Sequence, residues 1–314
     1  MVPKKEAEPK KPLIVQVLMV SVILNILFGV YILKDVNKSP KTNNPTTTKI
    51  DSTKKDPLFE QINPANGFEI NASFGDLGPK MIANGVIDYD KFKATYAKSG
   101  TTLPPEFDSI LKQGSNKKIK ITSANSYFLL NFFWAVGLAN KSRILDSGDI
   151  MKYEGIKGAG NFASTGGWSL AKTDAMDYYS KADLISLSSD QKNLVEKVSS
   201  NVYRPCCDNS TAFPDCNHGM ALLGVYELMA ANGATENQMY EAGKYFNAFW
   251  FPGNYYDLAL YFKNKEGKSF TDIPAQTLLG KEYSSASGWQ AAKQWLSEKG
   301  LVKEPPKQGG GCGV

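Results

Sequence analysis

Hydrophobic positions along the chain fall into three regimes. Residues 13–33, LIVQVLMVSVILNILFGVYIL, form one apolar run with no charge and only Gln16, Ser21 and Asn25 as polar side chains. About 20 apolar residues span a bilayer core, whereas the core of a signal peptide is shorter, about 7–15 residues, and ends at a small-residue cleavage site. The run therefore predicts an uncleaved transmembrane anchor. Residues 34–57 are rich in Asn, Thr, Ser, Pro and Lys and nearly free of apolar side chains, which predicts a flexible linker. From Leu58 onward the pattern becomes that of a folded domain.

Within that domain the helical period dominates. Residues 126–138 carry Phe128, Leu129, Leu130, Phe132, Phe133, Trp134 and Val136, apolar on every side but too short to span a bilayer, so a buried core helix is expected. Ser188 with Gln191 and Thr235 with Gln238 have capping-box spacing. Behind the first, Leu194, Val195 and Val198 share a helical face with Val202. Behind the second, Met239, Ala242, Phe246, Phe249 and Trp250 belong to a helix that should stop before Pro252 and Gly253. A last helix, near residues 287–299, should end at Gly300. Asp88 and Asp90 have the placement of a helix cap and a first-turn charge. The strand signal is confined to residues 118–122, where Ile119 and Ile121 alternate with polar side chains. Residues 155–167, GIKGAGNFASTGG, form a glycine-rich loop that lacks the Gly-Lys-Ser/Thr ending of a phosphate-binding loop. The tyrosine pairs at 178–179 and 255–256 are expected to pack in the core or anchor loops.

Composition adds limits. A hydrophobic content of 42% is enough to bury a real core. The net charge is +5, but the lysines are scattered or flank the apolar run, so no nucleic-acid footprint is present and no nucleic-acid partner is expected. Lys4, Lys5, Lys10 and Lys11 before the run favour a cytoplasmic N-terminus, although Lys34, Lys38 and Lys41 follow it. The short N-terminal tail and long C-terminal part place the folded domain outside the cell membrane, where disulfides are permitted. Three Asn-x-Ser/Thr matches, at Asn71, Asn140 and Asn209, matter only in a glycosylating cell.

Candidate chemistry gathers in residues 203–220, YRPCCDNSTAFPDCNHGM. They hold Cys206, Cys207, Cys216, His218 and Met220, and His218 is the only histidine in the chain. One helix should end near Tyr203, and another, apolar on nearly every side, should run from Asn217 or His218 to Asn232 and Gly233. The cysteines then lie on a loop and at a helix N-terminus, which lowers the pKa of a nearby thiol. Three readings follow. Thiolate, imidazole and thioether ligands together favour a soft ion, copper as Cu(I) first and zinc second. The principal ligands would be Cys207, Cys216 and His218, with Cys206 and Met220 completing or exchanging. Alternatively, Cys216 forms a stabilising disulfide with Cys206 or Cys207. The adjacent pair cannot easily bond to itself, because neighbouring Cα atoms stand about 3.8 Å apart, below the disulfide range. A nucleophilic or redox thiol is the third reading. Cysteine hydrolases need a histidine base from elsewhere in the chain, and the sole histidine is two residues from Cys216. No Ser-His-Asp triad on another histidine is available, and C-x-x-C is absent. Most enzyme classes are thereby disfavoured.

Pro205-Cys206-Cys207, then the Cys/His element, a helix, and an Ala-Thr-Glu-x-x-Met helix start resemble the bacterial PCYCGC-motif proteins, small exported proteins with a Cys-rich segment near a helix. The resemblance covers residues 203–251. It departs in detail, since the family's alternating cysteines are here a Cys-Cys pair with Cys216 nine residues on. It implies an exported, anchored protein with a thiol-based metal site.

The expected organisation is a cytoplasmic tail (1–12), a transmembrane anchor (13–33), a flexible linker (34–57), an all-α extracytoplasmic domain (58–303) and a mobile Gly/Cys tail (304–314) with Cys312. The expected function is membrane-anchored metal binding, most simply of copper. The alternative is a non-enzymatic structural or interaction protein of the cell envelope in which the cysteines form a staple.

Overall fold

The structure, a computed structural model, describes residues 56–306. The expected tail and anchor, most of the linker, and Cys312 lie outside the described residues. Among the described residues no helix is long and apolar enough to cross a membrane.

Asp56 caps α1 (Pro57–Ile62) by accepting from the Leu58 and Phe59 amides, and it also accepts a 2.6 Å hydrogen bond from the Tyr256 hydroxyl. Then follow β1 (Phe68–Gly75), α2 (Leu77–Asn84), α3 (Tyr89–Lys98), α4 (Pro105–Gln113) and β2 (Ser115–Ile121). Asp88 is the N-cap of α3 and Asp90 its first-turn acid, as their placement predicted. After them come α5 (Ser126–Ala139), α6 (Arg143–Ser147), α7 (Asp149–Ala159) and α8 (Ser189–Ser200). The chain closes with α9 (Asn217–Ala231), α10 (Glu236–Trp250), α11 (Pro252–Glu266), α12 (Ala275–Leu279), α13 (Lys281–Ser284) and α14 (Ala286–Glu298). Both capping boxes form, at the starts of α8 and α10.

The domain is mostly helical around one core, with one departure from the all-α expectation. β2 pairs antiparallel with β1, from Phe68 opposite Ile121 to Gly75 opposite Ser115. β1 alternates buried Ile70, Ala72 and Phe74 with polar or exposed neighbours. The small Ala72 and the polar Asn71 and Ser73 blur that alternation in sequence. A further departure concerns glycine. The glycine-rich segment is not all loop, because α7 runs through Gly155 and Gly158 to Ala159. α10 stops at Trp250, before Pro252, as its pattern predicted, and Pro252 is the first residue of α11, where its missing N–H costs no hydrogen bond.

The centre of the fold is the crossing of α5 and α9, the two helices that are apolar all round. They approach so closely that a Cβ on Gly137 would lie 2.0 Å from the Met220 carbonyl oxygen, and one on Gly224 would lie 2.6 Å from that of Phe133. Only glycine at both positions permits this contact, which fixes α9 and hence the residues at its N-terminus. Buried polar groups tie loops to the same core. Trp250 Nε1 donates to the Ser126 carbonyl at 3.0 Å, and Trp134 Nε1 to that of Ser164 at 2.6 Å. Asn140 is fully buried. Its Nδ2 donates to Glu227 Oε2 at 2.8 Å, while its Oδ1 accepts from the amides of Leu184 and Ile185. Its match to a glycosylation pattern is therefore sterically closed.

Glu227 lies inside α9 with 1% exposure, and burial pushes its carboxyl up to about 8, against the opposing hydrogen bonds from Ser142 and Asn140. An unfolded glutamate titrates near 4.3. Between those values the folded protein keeps a proton that the unfolded chain has released. Stability from this group is fully present below about pH 4.3 and is lost as pH rises toward about 8. Glu227→Gln should therefore gain stability over the parent progressively from pH 5 to pH 8 in chemical denaturation. An offset constant across that range would show that Glu227 does not titrate in the window.

Candidate metal centre

The loop from α8 to α9 is short of regular structure but held at many points. Tyr203 donates its amide to the Leu279 carbonyl at 2.8 Å, and its own carbonyl accepts from Asn247 Nδ2 at 2.9 Å. Thr211 returns its amide to the Val202 carbonyl at 2.8 Å. The Cys207 carbonyl accepts from Ala286 N at 3.0 Å, and Asp208 Oδ1 accepts from both Ser287 N and Ser287 Oγ at 2.8 Å, at the N-terminus of α14. Three helices, α10, α12 and α14, thus pin the segment that carries the thiols between α8 and α9.

Arg204 is its hub, with no exposed surface. Its Nε donates to Cys216 Sγ at 2.9 Å, Nη1 to the Asn209 carbonyl at 3.1 Å, and Nη2 to Asp215 Oδ1 at 2.6 Å and the Phe213 carbonyl at 3.4 Å. Asn209 Nδ2 holds the other oxygen of Asp215 at 2.8 Å. The guanidinium lies against the first turn of α9. A Cβ on Gly219 would come within 2.5 Å of Arg204 Cζ, so this glycine makes room for the arginine.

Cys216 is the N-cap of α9, and its Sγ accepts from the Gly219 amide at 3.4 Å. A helix N-terminus and an arginine both favour negative charge on that sulfur. Burial opposes its ionisation, but hydrogen bonds from Cys206 and Cys207, the Arg204 charge and a hydrogen bond from His218 hold its pKa well below the usual thiol range. The neighbours respond in the opposite sense. Hydrogen bonds to Cys207 and Cys216 raise the Cys206 thiol. Cys207 is lowered by its hydrogen bond with Cys206, yet hydrogen bonding to Cys216 and burial push it up to about 12. Negative charge is thus favoured on Cys216 and disfavoured on its two neighbours.

The structure brings together Cys206, Cys216 and His218, whose ligand atoms all lie within 4.8 Å of one another. Cys206 Sγ stands 3.2 Å from Cys216 Sγ, and the three cysteines are free thiols. His218 is 2% exposed, its ring 4.3 Å from that of Phe251 and 5.7 Å from that of Trp250 between centroids. Cys207 belongs to a second group with Asp215 and Cys216, its Sγ 3.4 Å from Asp215 Oδ1. Of the two adjacent cysteines it is Cys206, not Cys207, whose sulfur lies in one group with the Cys216 sulfur and the His218 ring. Met220 is fully buried in the hydrophobic core, on the helix that crosses α5, and takes its place there as a packing residue. Arg204, Asp215 and Gly219 were not singled out from the sequence. An arginine next to Pro-Cys-Cys gives no sign that it is buried, since arginine is seldom buried unless paired.

Donor chemistry fits a soft cation. A tetrahedral ion with metal–sulfur bonds near 2.3 Å holds two thiolates about 3.8 Å apart, so binding would spread the Cys206 and Cys216 sulfurs by about half an ångström. The exposed position of Cys206 allows that movement.

Gly219→Ala should drive Arg204 from its seat and destabilise the domain by about 1–3 kcal/mol in thermal or chemical unfolding, the usual cost of overpacking a tight site. It should also slow alkylation of Cys216 at neutral pH, because the sulfur loses its cationic partner. Unchanged stability and reactivity would mean that the arginine does not depend on this contact. No family model, curated protein or solved structure matches the chain.

Proposed function

We propose that the protein is a soft-metal-binding protein, with Cu(I) as the preferred ion and zinc as the second, held by Cys206, Cys216 and His218. The observation that carries this reading is the convergence of two sulfurs and one imidazole nitrogen within 4.8 Å on an anchored loop and helix start. Copper is favoured by ligand type and number. Thiolates and imidazole are soft or borderline donors, and structural zinc almost always takes four protein ligands, whereas three converge here. Cys207, beside Asp215, is the candidate fourth ligand for zinc. The local resemblance of residues 203–251 to PCYCGC-motif proteins implies the same thiol chemistry. If residues 13–33 anchor the chain as their pattern predicts, the site serves the outer face of a membrane.

The buried charges make occupancy depend on pH. Copper must displace the proton of Cys206, and zinc that of Cys207 as well, and both thiols are raised, so affinity should fall as pH falls.

The test is metal content of the reduced full-length chain after loading with Cu(I) and removal of excess ion. One copper per chain is expected, lost in Cys216→Ser and in His218→Phe, which keeps a ring against Phe251. Met220→Leu should bind as the parent does, and Cys207→Ser should retain copper but lose more of its zinc. A reduced parent chain that retains neither ion would overturn the reading.

A further inference from the structure

Metal binding uses the clustered sulfurs only as ligands, but their spacing and exposure carry a second chemistry. Cys206 Sγ and Cys216 Sγ are 3.2 Å apart. A disulfide requires about 2.05 Å, so a closure of about 1.2 Å would join them. Their surroundings differ in a useful way. Cys206 is exposed, while Cys216 is half-buried at the start of α9 beneath Arg204. A bulky disulfide can reach the first sulfur from solvent, and the second sulfur lies within reach of the first. Cys207 is poorly placed to replace either. A bond to Cys206 would join sequence neighbours whose Cα atoms are about 3.8 Å apart, below the disulfide range. Its own sulfur is turned to Asp215 Oδ1 at 3.4 Å and the Asn209 carbonyl at 3.8 Å.

We propose that Cys206 and Cys216 form a dithiol couple that reduces accessible disulfides by thiol–disulfide exchange, and that oxidation of the couple expels the bound ion. The substrate class is a solvent-exposed disulfide, of a small thiol or of a protein. The reduced pair, taken as one thiol and one thiolate, shares a proton across the 3.2 Å contact. That proton passes to Cys216 as Cys206 Sγ attacks one sulfur of the incoming R–S–S–R. A Cys206–S–S–R bond forms, the R–S–S–R bond breaks, and R–S⁻ leaves and takes the proton from Cys216. Cys216 then attacks the Cys206 sulfur, the Cys206–Cys216 bond forms, and a second R–S⁻ departs. The protein loses two electrons and the substrate gains them. Arg204 Nε, 2.9 Å from Cys216 Sγ, supports the negative sulfur in the second attack. The disulfide removes both thiolates from the metal, so ion and disulfide exclude each other. The exchange stands on the sulfur geometry alone, and only the expulsion rests on the metal reading.

The experiment uses metal-free, reduced full-length chain carrying Cys312→Ser, exposed to glutathione disulfide and followed by intact mass. The parent and Cys207→Ser should each lose two hydrogens and keep no glutathione. Cys206→Ser should form no internal disulfide. Because Cys206 is exposed, that variant is expected to fold, and a parent-like unfolding transition confirms it. Cys216→Ser should instead accumulate a stable mixed disulfide at Cys206. Internal oxidation of Cys206→Ser as fast as that of Cys207→Ser, or a parent that stays reduced, would overturn the couple. The same oxidation is then run on copper-loaded chain, where loss of copper with disulfide formation is expected. Disulfide formation with copper retained would overturn the expulsion. A chain that oxidises as expected but never loads copper sinks the metal reading and leaves the couple standing.

Discussion

A guanidinium with no exposed surface sits at the positive end of a helix, and the loop around it is arranged to make that position tolerable. Burying a charge is costly unless it is paired and hydrogen-bonded, and the N-terminus of α9 adds repulsion. Arg204 is compensated on every side: by the Asp215 carboxylate, by the carbonyls of Asn209 and Phe213, and by the Cys216 sulfur. Those partners are spread over residues 209–216, so a single side chain gives a segment without regular structure one conformation. Removing such an arginine would leave Asp215 and Cys216 competing for the same small space.

This arrangement works because its support is rigid. The glycine-mediated crossing of α5 and α9 places the first turn of α9, while α10 supplies Trp250 at its end and Phe251 just after it, the rings against which His218 packs. The N-terminus of α14 takes Asp208. Thiols on a free loop would sample many geometries, and ordering them would cost entropy at the moment of binding. Here that ordering is accomplished by folding, and the sulfurs are already within ligand distance.

Opposed pKa shifts follow from the same geometry. Arg204, the helix N-terminus and two donating thiols all favour charge on Cys216, and a single local charge then discourages ionisation of Cys206 and Cys207. A cation of suitable softness would relieve that mutual repulsion, and so would a covalent bond between two of the sulfurs. Metal binding and disulfide formation are two resolutions of one electrostatic frustration, which is why one cluster can support both proposals.

Local rules made much of the helical scaffold legible. Capping boxes at Ser188 and Thr235 marked helix starts, and the uninterrupted apolar run of residues 126–138 marked the central helix. The sole histidine close to Cys216 marked the segment where the chemistry gathers. These signals act within a few residues, through backbone hydrogen bonds and helical periodicity, so sequence alone carries them. The apolar run at 13–33 is likewise a feature read from the sequence alone. Tertiary structure decided what depends on partners far along the chain. It recruited residues 68–75 into a strand opposite β2, buried Arg204 and Glu227, sent Met220 into the core, and chose Cys206 over Cys207 as the neighbour of His218. Each of those outcomes turns on which surfaces meet across tens or hundreds of residues, and no local pattern of apolar and polar side chains encodes that meeting.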